Sequence, residues 1–184
     1  MNTDFFENYF YLVNKYINAI KKEQLIATSE IIKNAAKNGN KVILIGNGGS
    51  AAMASHVSVD LTKVAGIRAV NFNESDLITC FANDFGYENI FKKALEFYAD
   101  KNDVLILVSS SGKSPNMIHA AKYGKEMGLK MITLSGFSET NPLKSYGDIN
   151  LWVDSNAYNI IEMTHHIWLL SIADYIVGDI NYSA

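Results

Sequence analysis

Apolar positions follow two different rhythms along the chain. Over residues 4–38 they recur at three-to-four spacing (Phe5, Tyr9, Val13, Tyr16, Ile17, Ile20, then Leu25, Ile31, Ile32, Ala35), which predicts two helices closed by Asn38-Gly39-Asn40. Beyond residue 40 the pattern changes to short continuous apolar runs: Val42–Ile45, Val104–Val108, Met131–Leu134 and a weaker Ile149–Val153, with Ile67–Val70 as a fifth candidate. Runs of this kind belong to strands covered on both faces. Helical patterns at 50–63, 87–98, 114–127 and 157–177 separate and follow them. A further apolar segment, Leu77–Phe81, reads as ending in a post-strand turn over residues 82–87. The expected architecture is α/β: a doubly wound, five-stranded parallel sheet flanked by helices, with an N-terminal helical pair. Residues 1–184 form one domain in this reading, with helices over 1–40 and the α/β sandwich over 41–184.

Composition narrows the function. Among 184 residues, 48% are hydrophobic, 19% are charged and the net charge is −3, which suits a folded globular chain. Basic residues are scattered and only one is arginine (Arg68), so direct nucleic-acid binding is not expected. The single cysteine, Cys80, excludes an intrachain disulfide and a cysteine-rich zinc site. The N-terminus lacks a basic and then apolar leader, and no apolar run approaches the ~18 residues of a membrane span. A cytoplasmic location without membrane contact is therefore expected. The apolar stripe of residues 4–20 stands ahead of the first strand with little of its own domain to cover. A homo-oligomer that buries it is the natural use.

Ligands of doubly wound sheets bind beyond the carboxyl ends of strands, so the loops there carry the chemistry. The first strand runs into Gly46-Asn47-Gly48-Gly49-Ser50-Ala51 and then a helix. Glycines allow close backbone approach, and a helix N-terminus offers free N–H groups to an anion. The spacing also loosely fits a dinucleotide fingerprint, but Val70-Asn71-Phe72-Asn73 lacks the acidic residue that fingerprint needs. No nucleotide cofactor is expected, and a plain strand-to-helix turn is the alternative. The strand Val104–Val108 ends in Ser109-Ser110-Ser111-Gly112-Lys113-Ser114-Pro115, whose hydroxyls precede a helix. That composition suits either a metal-free phosphate cradle or an ordinary N-cap. It is not an ATP-binding P-loop, because Leu107 stands where the first glycine belongs.

The Gly-Asn-Gly-Gly-Ser-Ala loop (46–51), the Asn-Asp-Phe-Gly segment (83–86) and the serine-rich loop (109–114) together resemble the SIS (sugar isomerase) domain family. Within it the likeness is to the phosphoheptose isomerases, and it extends over nearly the whole chain. The resemblance implies a homotetramer with sites shared between subunits. It also implies interconversion of sedoheptulose 7-phosphate and D-glycero-D-manno-heptose 7-phosphate, for cell-surface polysaccharide. It assigns substrate contacts to Asn47, Gly48, Gly49, Ser50, Asn83, Asp84, Ser109, Ser110, Ser111 and Ser114. His56 falls on a zinc-binding histidine, and Asp60 on a glutamate that is both acid–base residue and metal ligand. Glu162 falls on a glutamine in the segment anchored by His165. A zinc ion held by His56, Asp60 and Glu162 is what this implies, but a further family histidine is replaced by Leu170. His166, one turn earlier, is the candidate substitute. Some members keep the phosphate loops as regulatory or protein-binding platforms, including one that binds a replication initiator, and the change at 170 keeps that alternative open.

Read without the family, His56 and Asp60 share a helical face four residues apart, as do Glu162 and His166. Imidazole and carboxylate from two helices suit acid–base work or a weak zinc site, and structural imidazoles are the alternative. Asp60 as base with His56 or His166 as proton shuttle is adequate for an aldose–ketose isomerisation. His119, mid-helix and far from any loop, reads as packing or surface.

Overall fold

The computed structural model describes residues 3–182. Two helices, α1 (Thr3–Ile17) and α2 (Lys22–Lys37), precede a parallel sheet of β1 (Val42–Gly46), β2 (Ala69–Val70), β3 (Val104–Ser109), β4 (Lys130–Ser135) and β5 (Ile149–Trp152). Between and after the strands lie α3 (Gly49–Lys63), α4 (Ser75–Phe85), α5 (Ile90–Tyr98), α6 (Pro115–Glu126) and α7 (Tyr158–Val177). Short 3-10 turns occupy Tyr87–Asn89 and Pro142–Ser145.

Strand order is β2-β1-β3-β4-β5, all parallel. Every residue of β1 and β3 is buried, as continuous apolar runs require when helices cover both faces. Alternate side chains feed two cores. Val42, Leu44, Val104, Ile106 and Val108 pack with α2, α3 and α7, whereas Ile43, Ile45, Leu105 and Leu107 pack with α5 and α6. The order changes direction between β1 and β3, the switch point where a crevice opens beyond the strand ends. The glycine loop and the serine loop leave the sheet from these two neighbouring strands.

One element departs from the sequence reading. Leu77–Phe81 is not a strand; it is the middle of α4, and residues 82–85 continue that helix. Leu77, Ile78, Phe81 and Ala82 touch the core from one side, yet no residue of α4 is fully buried. A helix covered on one face and a buried strand both supply a short apolar run, and five residues cannot separate them. The candidate at 67–70 is a strand only at Ala69–Val70. In α1, Tyr16 packs onto the core, while Phe5, Phe6, Phe10 and Tyr11 are each more than 60% exposed.

Candidate active site

The two loops meet around a cavity of about 130 Å3 lined by Asn47, Ser50, Val108, Ser109, Ser110, Ser111, Ser114, Tyr158 and Glu162. It has room for a phosphate group. Ser110 is 95% buried and its hydroxyl has no hydrogen-bond partner. A buried hydroxyl without a partner costs about 1–3 kcal/mol, so its presence on a cavity wall marks a place that a ligand oxygen would satisfy. Ser114 precedes Pro115 at the start of α6 without capping the helix with its own side chain. The N-terminal end of α6 is thereby directed at the cavity, with the partial positive charge that such ends carry.

The glycine loop is held by side-chain amides. Asn47 and Asn116 exchange two hydrogen bonds, each amide nitrogen donating to the other's oxygen at 3.0 and 2.9 Å. The Tyr87 hydroxyl donates to the same Asn47 oxygen at 3.0 Å. Glu162 reaches across from α7 onto Gly49, where a Cβ would overlap its carboxylate. Glycine at 49 is therefore a matter of space: any side chain there would push Glu162 out of the cavity wall.

Further along α3, where it packs against α7, stands a chain of three ionisable groups. His56 Nε2 is 3.5 Å from Asp60 Oδ2, and His56 Nδ1 is 3.0 Å from His166 Nε2. The imidazoles meet edge to face, with centroids 5.0 Å apart. Burial, and after it the neighbouring His56, hold the His166 pKa below its ordinary value, with Asp60 opposing. His56 is half exposed and Asp60 one-quarter exposed, so the set is accessible from solvent.

The sequence-expected residues divide into three groups. Asn47, Ser50, Ser109, Ser110, Ser111, Ser114 and Glu162 line one cavity, with Gly48 and Gly49 at its α3 side. His56, Asp60 and His166 form the second set, with His166 brought from α7 to His56 on α3. Asn83 and Asp84 join neither. They are exposed on the last turn of α4, where Asn83 donates to Asp84 at 2.8 Å. Among the described residues, no three His, Cys, Asp or Glu side chains gather as a metal would require. The expected trio of His56, Asp60 and Glu162 is split, because Glu162 lies on Gly49 instead of at the His56–Asp60 pair. Leu170 packs against the core and offers no ligand. Zinc therefore does not fit the donor set within this chain.

His165, the anchor of the sequence comparison, is fully buried and bonds Ser135 O through Nε2 at 3.1 Å. Burial pushes its pKa down to about 4, so it is a neutral structural imidazole. His119 bonds Asn89 at 3.0 Å on the α5–α6 side, away from the cavity. Tyr87, Asn116 and Tyr158 belong to the site and carried no sequence signal. Asparagine and tyrosine outside the glycine and serine loops look like surface residues until the fold brings them in.

The SIS domain model matches residues 5–136. The chain belongs to the SIS domain family. Two curated relatives of this SIS domain are a phosphoheptose isomerase from Aliarcobacter butzleri and a probable one from Thermoplasma acidophilum. The first is 35% identical over 167 residues, 88% of each chain; the second is 37% identical over 150 residues, 78% of this chain and 81% of that one. Among solved structures, a phosphoheptose isomerase from Neisseria gonorrhoeae superposes with a TM-score of 0.83 at 26% identity, covering 90% of this chain and 91% of that one. The five-stranded parallel sheet and the helices flanking it are thus the SIS fold.

Proposed function

We propose that this SIS domain is a phosphosugar aldose–ketose isomerase that converts sedoheptulose 7-phosphate to D-glycero-D-manno-heptose 7-phosphate. The observation that carries the reading is the pairing of an unsatisfied Ser110 hydroxyl in a phosphate-sized cavity with the Asp60–His56–His166 set on α3 and α7, the two helices whose Ser50 and Glu162 line that cavity. Ser50 lines the cavity and His56 stands six residues later, about 9 Å along α3 at the α-helical rise. That separation suits a seven-carbon sugar whose phosphate is at one end and whose reacting carbons are at the other. The relatives' names point to the same substrate.

The chemistry follows from the side chains present. The serine hydroxyls and the start of α6 bind the phosphate dianion and fix the sugar along the α3–α7 groove. Asp60 takes the proton from C1 of the ketose, giving an enediol, and returns it to C2. The hydroxyl on C1 loses its proton while the oxygen on C2 gains one, and His56 and His166 pass that proton between the oxygens. Atoms and charge balance without a co-reactant. A homo-oligomer, supported by the exposed aromatic residues of α1, and a cytoplasmic location belong to the same proposal.

A second reading, a phosphosugar-binding regulator, is favoured by Leu170 and by the absence of a three-ligand set among the described residues. Incubation with sedoheptulose 7-phosphate in heavy water separates the two. Formation of an aldose product supports the isomerase, with hydrogen at C2 where Asp60 returns the C1 proton directly and deuterium where the base exchanges with solvent first. Binding without turnover, with and without added zinc, overturns it in favour of the regulator.

A further inference from the structure

We infer that Asn141 is a positioning residue for the phosphate site, holding the serine loop from behind. The inference rests on the isomerase reading above, since it concerns how that site binds phosphate. Asn141 lies in the segment that follows β4, is 98% buried, and does not line the cavity. Its amide nitrogen donates to Ser135 Oγ at 3.0 Å and to Ser138 O at 2.8 Å, while its oxygen accepts from Lys144 N at 3.2 Å. With both ends of the carboxamide engaged, the side chain has a single orientation.

That orientation places it directly against Gly112, in the middle of the serine loop. Gly112 has φ +62, and a Cβ there would overlap the Asn141 carboxamide. Two residues near Asn141 in sequence tie the same loop through the backbone. Gly136 N donates to Ser110 O at 2.8 Å, and Leu143 N donates to Gly112 O at 3.1 Å. The backbone of the loop is therefore fastened at Ser110 and Gly112 to one segment, 136–143, whose internal shape Asn141 fixes. His165 adds to this from α7 by bonding the Ser135 carbonyl.

The consequence is for binding. Hydrogen bonds to a phosphate need donors aimed before the ligand arrives, and a displacement of about 1 Å is enough to lose them. Ser110 has no hydrogen-bond partner to fix its own hydroxyl, so the backbone behind it sets its position. Asn141 supplies that constraint without touching substrate. The reacting carbons lie on the α3–α7 side and are served by other residues, so the effect of Asn141 falls on phosphosugar affinity and not on the proton-transfer step.

The test uses the full chain with sedoheptulose 7-phosphate for kinetics and inorganic phosphate for direct binding, at a temperature well below unfolding of every variant. Asn141→Ala is expected to raise KM, and the Kd for inorganic phosphate, by about tenfold, with kcat within about twofold of wild type. Asn141→Asp keeps the shape but loses the donors and brings a carboxylate behind the loop. It is expected to weaken binding at least as much at pH 8. Its KM relative to wild type should then fall as the pH is lowered and the carboxyl protonates. Should the alanine variant fail to fold, the isosteric aspartate variant carries the test alone. A KM and phosphate Kd unchanged in either folded variant overturn the inference while leaving the isomerase reading in place. Failure of the wild type to bind or turn over phosphosugar overturns the reading itself.

Discussion

His56 on α3 and His166 on α7, 110 residues apart in sequence, share a 3.0 Å contact between Nδ1 and Nε2. Asp60 completes the line from the other side of His56. Leu170 removes the family's histidine from its expected place, but the neighbouring turn of the same helix brings another imidazole to α3. Asp60, His56 and His166, the acid–base candidates of the sequence, thus stand in one line across α3 and α7.

Asp60→Asn is expected to reduce turnover by at least about a hundredfold, the usual contribution of a general base, while leaving the phosphosugar Kd unchanged. Asp60→Glu should keep activity, because the longer arm restores the family's residue. Wild-type turnover in the asparagine variant would remove Asp60 from the mechanism.

His166→Gln keeps a hydrogen-bonding group beside His56 but cannot carry a proton through. Its kcat should drop by about tenfold or more with little change in KM. A raised KM with kcat unchanged would place His166 in binding instead.

Ser110→Ala should raise KM by about tenfold, as expected for one hydrogen bond to a charged phosphate. Thermal stability should be unchanged or slightly higher, because the lost hydroxyl is buried and unpaired in the free protein. Calorimetry with phosphosugar and a thermal melt read the two effects separately.

Acid should destabilise the protein through His165. Its pKa falls from 6.5 to about 4 on burial, so between those values the unfolded chain binds more protons than the folded one. Stability from this group is therefore full above about pH 6.5 and is lost as the pH falls, by about 2 kcal/mol at pH 5. A His165→Gln variant should be less stable at pH 7 but should show a flatter dependence between pH 6.5 and 4. Denaturant titrations across that range check the slope.

The exposed Phe5, Phe6, Phe10 and Tyr11 should be covered by another copy of the chain. Sedimentation at micromolar concentration should show an oligomer, and a four-chain species is the expected form. Replacing Phe6 and Phe10 by serine should shift it toward monomer. A wild-type monomer would count against both the oligomer and a shared site.

Much of this protein is set by local pattern. Continuous apolar runs at 42–45, 104–108 and 131–134 become strands because only a position covered on both faces tolerates them. Glycine and serine directly after two such strands locate the crevice, because a parallel sheet leaves its strand ends and helix starts on one side. The cavity between the glycine and serine loops was legible for that reason.

Tertiary structure decided what local pattern leaves degenerate. Leu77–Phe81 is equally good as a strand or as one face of a helix, and only packing beside α5 makes it α4. Asn116 and Asn141 look like surface asparagines in the sequence; Asn116 becomes a buried anchor because the Asn47 amide arrives from 69 residues away, and Asn141 because Ser135, Ser138 and Lys144 fold around its carboxamide beneath the serine loop. Glu162 was placed beside His56 and Asp60 by resemblance, but the crossing of α7 over α3 sets it on Gly49 and sets His166 on His56. Helical spacing fixes which residues share a face; which residue on the other helix each one meets depends on the height at which the two helices pack, and that is set by the sheet beneath them.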